Sequence, residues 1–266
     1  MASVYDRADI YDLLEDESRY EAYERHWEKV LKDRPVKTFL DVSIGSGSVT
    51  LPLAGLGIRL SGSDLSKTML DRCRKKAQLR QVDITLKQCD FRAVSGEFPE
   101  QFDCVASTGN SLPYVSNEDV LLTLGQMDRL VRPGGYLYFD VRNWDKILRE
   151  RNRFYLYNPF FDGDTRINLI QVWDYHADDT MTFNLLYTFE KDNRIFQKEK
   201  FEEHYIPVRR QLLLDRLREM GYEDIRIMNF PAYRENVDVE EADWYCVIAR
   251  KGKEHDAEAP RQGSVN

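Results

Sequence analysis

Asp41, Gly45 and Gly47 form the spacing Asp41-x-x-x-Gly45-x-Gly47, directly after the apolar run Phe39-Leu40 and before an apolar stretch through Leu51, Leu53 and Leu56. Glycines at a strand-to-helix bend let the backbone approach a ligand closely. Asp64 ends the next apolar run, roughly 20 residues on, where a carboxylate accepts hydrogen bonds from both hydroxyls of a ribose. Asp90 follows a third run. Its carboxylate suits an exocyclic amine or, as the structural alternative, the cap of a helix, and Phe91 beside it offers an apolar face to an adenine ring. The third glycine of a dinucleotide fingerprint would fall on Thr50, so the bend is poorly built for a pyrophosphate and better suited to a nucleoside without phosphate.

Elements must hold these groups in register. The helical spacing of Tyr20, Tyr23, Trp27, Val30 and Leu31 predicts an amphipathic helix before Pro35. Strands are predicted at Phe39–Ser43, Ile58–Ser63, Ile84–Gln88, Phe102–Ser107 and Tyr136–Val141. Helices are predicted after Gly47, along Leu65, Met69, Cys73 and Ala77, and along Val120, Leu124, Met127 and Val131, the last with Asn117 as cap. Arg132-Pro133-Gly134-Gly135 is expected to turn the chain. This alternation implies an α/β fold, a Rossmann-like, doubly wound, mostly parallel sheet. Beyond Asn143 the segments Ile167–Trp173, Met181–Phe189 and Ile195–Tyr205 read as an antiparallel β insertion after the fifth strand, and the α/β pattern resumes with a helix Gln211–Met220 and strands near Ile225–Asn229 and Trp244–Ala249. The expected units are a helical segment 1–34, a ligand-binding core 35–142, an insertion or lid 143–208, a completion of the core 209–250 and a flexible tail 251–266.

Composition bounds the partners. A net charge of −8 gives no general attraction to nucleic acid or anionic lipid. Arg72, Arg74, Lys75 and Lys76 cluster, and on a helix such a run is read as a solvated face. Cys73, Cys89, Cys104 and Cys246 lack metal or redox spacing and read as reduced packing residues, and His26, His176, His204 and His255 are too far apart in sequence for a zinc motif, so no metal is expected. Without a signal segment or a run of about eighteen apolar residues, no membrane partner is expected and a cytoplasmic location follows by default.

The stretches Leu40-Asp41-Val42-Ser43-Ile44-Gly45-Ser46-Gly47, Gly62-Ser63-Asp64-Leu65-Ser66 and Arg132-Pro133-Gly134-Gly135 resemble class I S-adenosylmethionine-dependent methyltransferases from about Phe39 to Ala249. The resemblance implies S-adenosyl-L-methionine as cofactor, bound by Asp41, Ser43, Gly45, Gly47, Asp64, Leu65, Asp90, Phe91 and Ser107, with Arg19 matching the arginine on the cofactor's carboxylate. Asp41 would lie near the methionine moiety. Ser43 departs from the pattern, standing where many members carry a glycine or alanine.

A narrower similarity is to glycine and sarcosine N-methyltransferases. It is carried by Gly109-Asn110-Ser111, by Asp140-Val141-Arg142-Asn143-Trp144-Asp145-Lys146-Ile147-Leu148 and by Leu186-Tyr187-Thr188. It implies that Arg142 holds the carboxylate of a small amine or amino-acid acceptor, that Asn110 assists and that Tyr187 lines the pocket. A guanidinium forks onto a carboxylate through two parallel hydrogen bonds; the bland alternative for Arg142 is a salt bridge with Asp140 or Asp145. Tyr5, Tyr155, Tyr157 and Tyr205 are further pocket candidates, since aromatic faces attract methylated cations, although strand packing explains most tyrosines.

Rival readings remain. Asn110-Ser111-Leu112-Pro113-Tyr114 faintly echoes the Asn-Pro-Pro-Tyr element of macromolecular amine methyltransferases, with an extra residue and a missing proline. An NAD-dependent oxidoreductase shares the sheet and Asp64, but not the glycine spacing. A non-catalytic sensor would share the cofactor residues. A hydrolase elbow at Ser111 lacks its second glycine. The sequence leaves a homo-oligomer open.

Overall fold

The computed structural model describes residues 3–7, 10, 13, 16–233 and 238–252. The predicted tail beyond 252 lies outside them.

The described residues build two sheets. Strands β1 (Thr38–Asp41), β2 (Arg59–Asp64), β3 (Ile84–Gln88), β4 (Phe102–Ser107) and β5 (Val131–Arg142) run parallel to their neighbours, and β11 (Tyr222–Asn229) and β12 (Trp244–Lys251) add antiparallel at one edge, in the order β11-β12-β5-β4-β1-β2-β3. The central strands are covered on both faces, so they read as continuous apolar runs, with Phe39, Leu40, Cys104, Val105, Ala106, Leu137, Tyr138 and Phe139 all at 0% exposure. Among the described residues the α-helices α1 (Glu17–Leu31), α2 (Lys67–Leu79), α3 (Asn117–Leu130), α4 (Trp144–Glu150) and α5 (Arg210–Glu219) accompany them. The second sheet is antiparallel, with order β10-β9-β8-β6 and β7 paired to β8, built from β6 (Phe154–Leu156), β7 (Phe160–Asp162), β8 (Thr165–Tyr175), β9 (Met181–Lys191) and β10 (Arg194–Tyr205). Its buried residues Leu169, Trp173, Phe183, Tyr187, Phe201 and Tyr205 share one apolar cluster with β4, β5 and α3, so the second sheet is packed onto the first.

Four local expectations are corrected. The stretch after Gly47 forms a 3-10 helix, Leu51–Leu56, rather than an α-helix: Pro52 has no N–H to give, and Gly57 closes the turn at φ +71°. Arg132–Gly135 does not break the chain before a strand but forms an irregularity inside β5, where the pairing jumps from Phe102↔Val131 to Cys104↔Tyr136. Helix α3 is capped by Ser116, whose Oγ accepts from Asp119 N at 3.1 Å, and Asn117 is its first residue. Leu65 lies ahead of α2 and is 67% exposed, whereas Met69, Leu70, Cys73 and Ala77 make the buried stripe. Short elements β6, β7 and α4 were absent from the sequence reading because three to seven residues are too few to display a period.

Candidate functional site

The glycine bend sits where the carboxyl ends of β1 and β4 meet β2. Gly45 and Gly47 have φ of +55° and +82°, and a Cβ on Gly47 would lie 2.7 Å from Cys73 Sγ and 2.9 Å from Leu51 Cγ. Both conformation and space demand glycine there. Gly62 on β2 is constrained by space alone, since a Cβ there would clash with the Ile44 side chain. Asp64 ties the bend to β2: Oδ2 accepts from Gly45 N at 2.9 Å and Oδ1 from Ser66 N at 2.8 Å. Burial pushes its carboxyl above the ordinary range despite these bonds. Lys76, from the basic cluster, donates to Ser46 and Ser48 Oγ at 2.9 Å each, so it braces the bend as well as facing solvent.

Asp41 is completely buried. Thr50 and Thr108 hydroxyls donate to its Oδ2 at 2.5 and 2.6 Å and Ser43 N to Oδ1 at 3.1 Å; burial still raises its pKa to about 6. It joins the bend to the end of β4. Ser43 makes the same connection, with Oγ 2.9 Å from Ser107 Oγ and accepting from Thr108 N at 3.1 Å. A hydroxyl in place of the commoner glycine or alanine is therefore a cross-link between two strand ends. Asp90 caps the 3-10 turn Phe91–Gly96 and is gripped by Arg92 at 2.6 to 3.0 Å, which holds its carboxyl below the ordinary range. The capping alternative is thus realised. Phe91 is half-buried against the core.

A cavity of about 670 Å³ opens beside this edge and gathers Arg19, Gly109, Asn110, Arg142 and Tyr187, together with Tyr5, Tyr155, Tyr157 and Tyr205. Arg19, on α1, donates from Nε to Tyr23 Oη at 3.3 Å. The sites at Asp41, Ser43, Asp64, Asp90 and Ser107 lie outside its lining.

Asn110 adopts φ +62°, a left-handed conformation that asparagine tolerates better than most residues. Its Oδ1 accepts from Arg142 N at 2.9 Å and Trp144 Nε1 at 3.2 Å, and two N–H donors on one atom settle which end of the amide is oxygen. Nδ2 is left for the cavity. Arg142, the last residue of β5, is 6% exposed. Among the described residues its guanidinium makes two hydrogen-bond contacts, each of 3.5 Å, to Tyr157 Oη and Gln171 Oε1, and lies 4.9 to 5.7 Å from the ring centres of Tyr155, Trp173, Phe183 and Trp244. No carboxylate lies within ion-pair distance of it among the described residues. Asp140 accepts instead from Gly109 N at 2.9 Å, and Asp145 from Arg209 and Arg210 N at 3.1 and 3.0 Å, so the bland salt bridge is not formed.

Tyr187 is 2% exposed, stands edge-on to Phe201, and burial raises its hydroxyl pKa. Gln171, Glu203 and Trp244 on the cavity wall are not singled out by the sequence, and Tyr114, which enters there only through the echo of the Asn-Pro-Pro-Tyr element, joins them. Strand alternation held a signal for two of them: Leu169, Gln171 and Trp173 face inward on β8, and Phe201, Glu203 and Tyr205 on β10.

Residues 39–135 match the methyltransferase domain family. The chain is 27% identical to a glycine/sarcosine N-methyltransferase of Parasynechococcus marenigrum (strain WH8102), across 93% of this chain and 84% of that protein. It is 26% identical to one of Aphanothece halophytica, across 84% and 79%. Among solved structures, an S-adenosylmethionine-dependent methyltransferase from Clostridium acetobutylicum ATCC 824 superimposes with a TM-score of 0.72 at 15% identity, covering 93% of this chain and 98% of that one.

Proposed function

Because the chain is a class I S-adenosylmethionine-dependent methyltransferase, we propose that it methylates the amine of a small amino acid such as glycine or sarcosine, anchored through its carboxylate by Arg142. One observation carries this reading: a guanidinium at 6% exposure, ringed by aromatics and without a carboxylate partner among the described residues, faces a cavity large enough for a small ligand. Desolvating an unpaired charge is costly, and a ligand carboxylate is the counter-charge that offsets it. Asn110 holds the Arg142 backbone in place and offers Nδ2 to the same ligand, while Tyr187 and its neighbours supply an apolar, electron-rich wall.

The other end of the site fits the cofactor. The cradle at Gly45 and Gly47 is kept open by glycine, Asp64 has lone pairs beyond those used by Gly45 and Ser66 for a ribose, and the exposed Leu65 provides an apolar surface beside it. Phe91 adds to that surface. For Asp90 to take the adenine amine it must share its oxygens with Arg92. Asp41, Ser43 and Ser107 set the floor under the methionine portion by locking β1 to β4, and Arg19 is the cavity's candidate for the cofactor carboxylate. S-adenosylmethionine supplies an electrophilic methyl on sulfonium sulfur, so this chain's residues need only align a neutral amine and exclude water.

Labelled S-adenosylmethionine, incubated with glycine, sarcosine, methylamine, dimethylamine and glycolate, tests the reading. Label is expected on the two amino acids, and Arg142→Ala should lose them selectively. Equal labelling of the carboxylate-free amines would overturn the Arg142 anchor; label on glycolate alone would point to oxygen as the acceptor atom.

A further inference from the structure

One buried carboxylate in the cavity has no part in the chemistry above. Glu203 faces inward on β10, 4% exposed, between Phe201 and Tyr205. Its Oε1 accepts from Val4 N and Ser3 Oγ, both at 2.8 Å, and Oε2 lies 3.0 Å from Tyr114 Oη. No Lys or Arg lies within ion-pair distance of it among the described residues.

Counting protons sets a direction. A carboxylate accepts and a tyrosine hydroxyl has one proton to give. Tyr114 Oη reaches Glu203 Oε2 at 3.0 Å, Tyr5 Oη at 3.1 Å and Tyr205 Oη at 2.7 Å. The charged acceptor draws the stronger bond, so the Tyr114 proton goes to Glu203. The 2.7 Å contact with Tyr205 is then a hydrogen bond only if Tyr205 donates. Tyr205, which also lines the cavity, is left with lone pairs alone to offer a ligand.

We propose that Glu203 is a positioning residue that acts through Tyr114 to hold Tyr205 Oη as an acceptor, so that the cavity selects ligands presenting an N–H there. This rests on the reading of the acceptor as a small amino acid. An amine that gives its N–H to Tyr205 is fixed in orientation while its own lone pair stays free for transfer. A ligand with only an acceptor atom at that point meets oxygen against oxygen, which a dry site penalises.

Glu203→Gln reverses the chain. Val4 N holds the amide oxygen on its own side, the amide nitrogen then donates to Tyr114, Tyr114 donates to Tyr205, and the Tyr205 proton points into the cavity. Sarcosine and methoxyacetate have the same shape and carboxylate, and calorimetry on protein loaded with S-adenosylhomocysteine compares them. Sarcosine brings N–H donors, and as a zwitterion a positive charge, where methoxyacetate has an ether oxygen. The share of the preference that Tyr205→Phe erases with Glu203 still in place is therefore the share owed to the hydrogen bond. The wild type is expected to prefer sarcosine by about tenfold or more. Glu203→Gln should invert that order. Tyr205→Phe should erase it, with no further change when Glu203→Gln is added. S-adenosylhomocysteine affinity within about twofold in every variant reports an intact fold. An unchanged preference in Glu203→Gln, or additive losses in the double variant, would overturn the relay. If methoxyacetate binding survives Arg142→Ala undiminished, the carboxylate anchor fails instead, whatever happens at Glu203; a wild type that binds neither compound overturns both.

Discussion

Asn110 holds Arg142 through the backbone: its Oδ1 takes the Arg142 N–H at 2.9 Å, while Nδ2 and the guanidinium remain directed to the same cavity. Two residues 32 positions apart are thereby set as one unit at the carboxyl edge of β4 and β5, where ligands bind in open α/β sheets.

Replacing Asn110 with glycine keeps the φ of +62° affordable and removes only the amide. With the Arg142 N–H and the Trp144 indole N–H left unpartnered, kcat/KM for the acceptor should fall by about 10- to 100-fold. Steady-state kinetics and calorimetry check it together, because S-adenosylhomocysteine affinity should move far less.

Asp64→Asn keeps one oxygen and loses the charge and the second acceptor. The bend then loses either the Gly45 or the Ser66 bond, and ribose recognition with it. Cofactor affinity should drop on the order of 10- to 100-fold, read by titrating S-adenosylhomocysteine. No change would remove Asp64 from the cofactor site.

Gly47→Ala meets both a φ of +82° and a Cβ contact of 2.7 Å with Cys73. A loss of roughly 1 to 3 kcal/mol in stability is expected, measured by urea unfolding, together with weaker cofactor binding.

Stability should depend on pH through three buried groups. Burial raises Asp140 to about 8 and Asp41 to about 6, from 3.8 in both cases. Each contributes stability that is complete below the unfolded value and is lost as pH climbs to the folded value. Burial lowers His26 from 6.5 to about 3, so its contribution runs the other way, lost as pH falls through that window. His26 Nδ1 accepts from Ala232 N at 2.8 Å, which leaves its proton on Nε2 facing Tyr138. Between 6.5 and 8, with Asp41 and His26 completing their titration at the lower end of the interval, Asp140 makes the largest change of the three. Its linkage is about 1.4 kcal/mol per pH unit, hence a fall of roughly 2 kcal/mol across that interval. Asp140→Asn keeps an acceptor for Gly109 N and should flatten the slope in urea melts at the two ends of the interval.

Much of the fold was legible because the information is local. The five strands from Thr38 to Arg142 are apolar runs with punctuation between them, and the glycines at 45 and 47 mark the bend, where at 47 a Cβ would clash with Cys73 and Leu51. The site was legible where chemistry is unusual for its position: Arg142 at a strand end, and Tyr5, Tyr155, Tyr157, Tyr187 and Tyr205 all reach the cavity. Glu203 was not, although its neighbours Phe201 and Tyr205 mark its face as inward, because a glutamate in a charged strand reads as solvated until the partner surface is known. Asp41 shows the converse. Its position implied contact with ligand, but Thr50 and Thr108, from elsewhere in the chain, take one of its oxygens and Ser43 N takes the other.

The discrimination between an amino acid and its decarboxylated counterpart tests the account most directly. The ratio of kcat/KM for glycine to that for methylamine, measured in the wild type and in Arg142→Ala, isolates the carboxylate anchor from every other feature of the site. A ratio of about 100 or more in the wild type, collapsing toward unity in the variant, is the predicted result. A wild-type ratio near one, or a high ratio that survives the loss of Arg142, would contradict it.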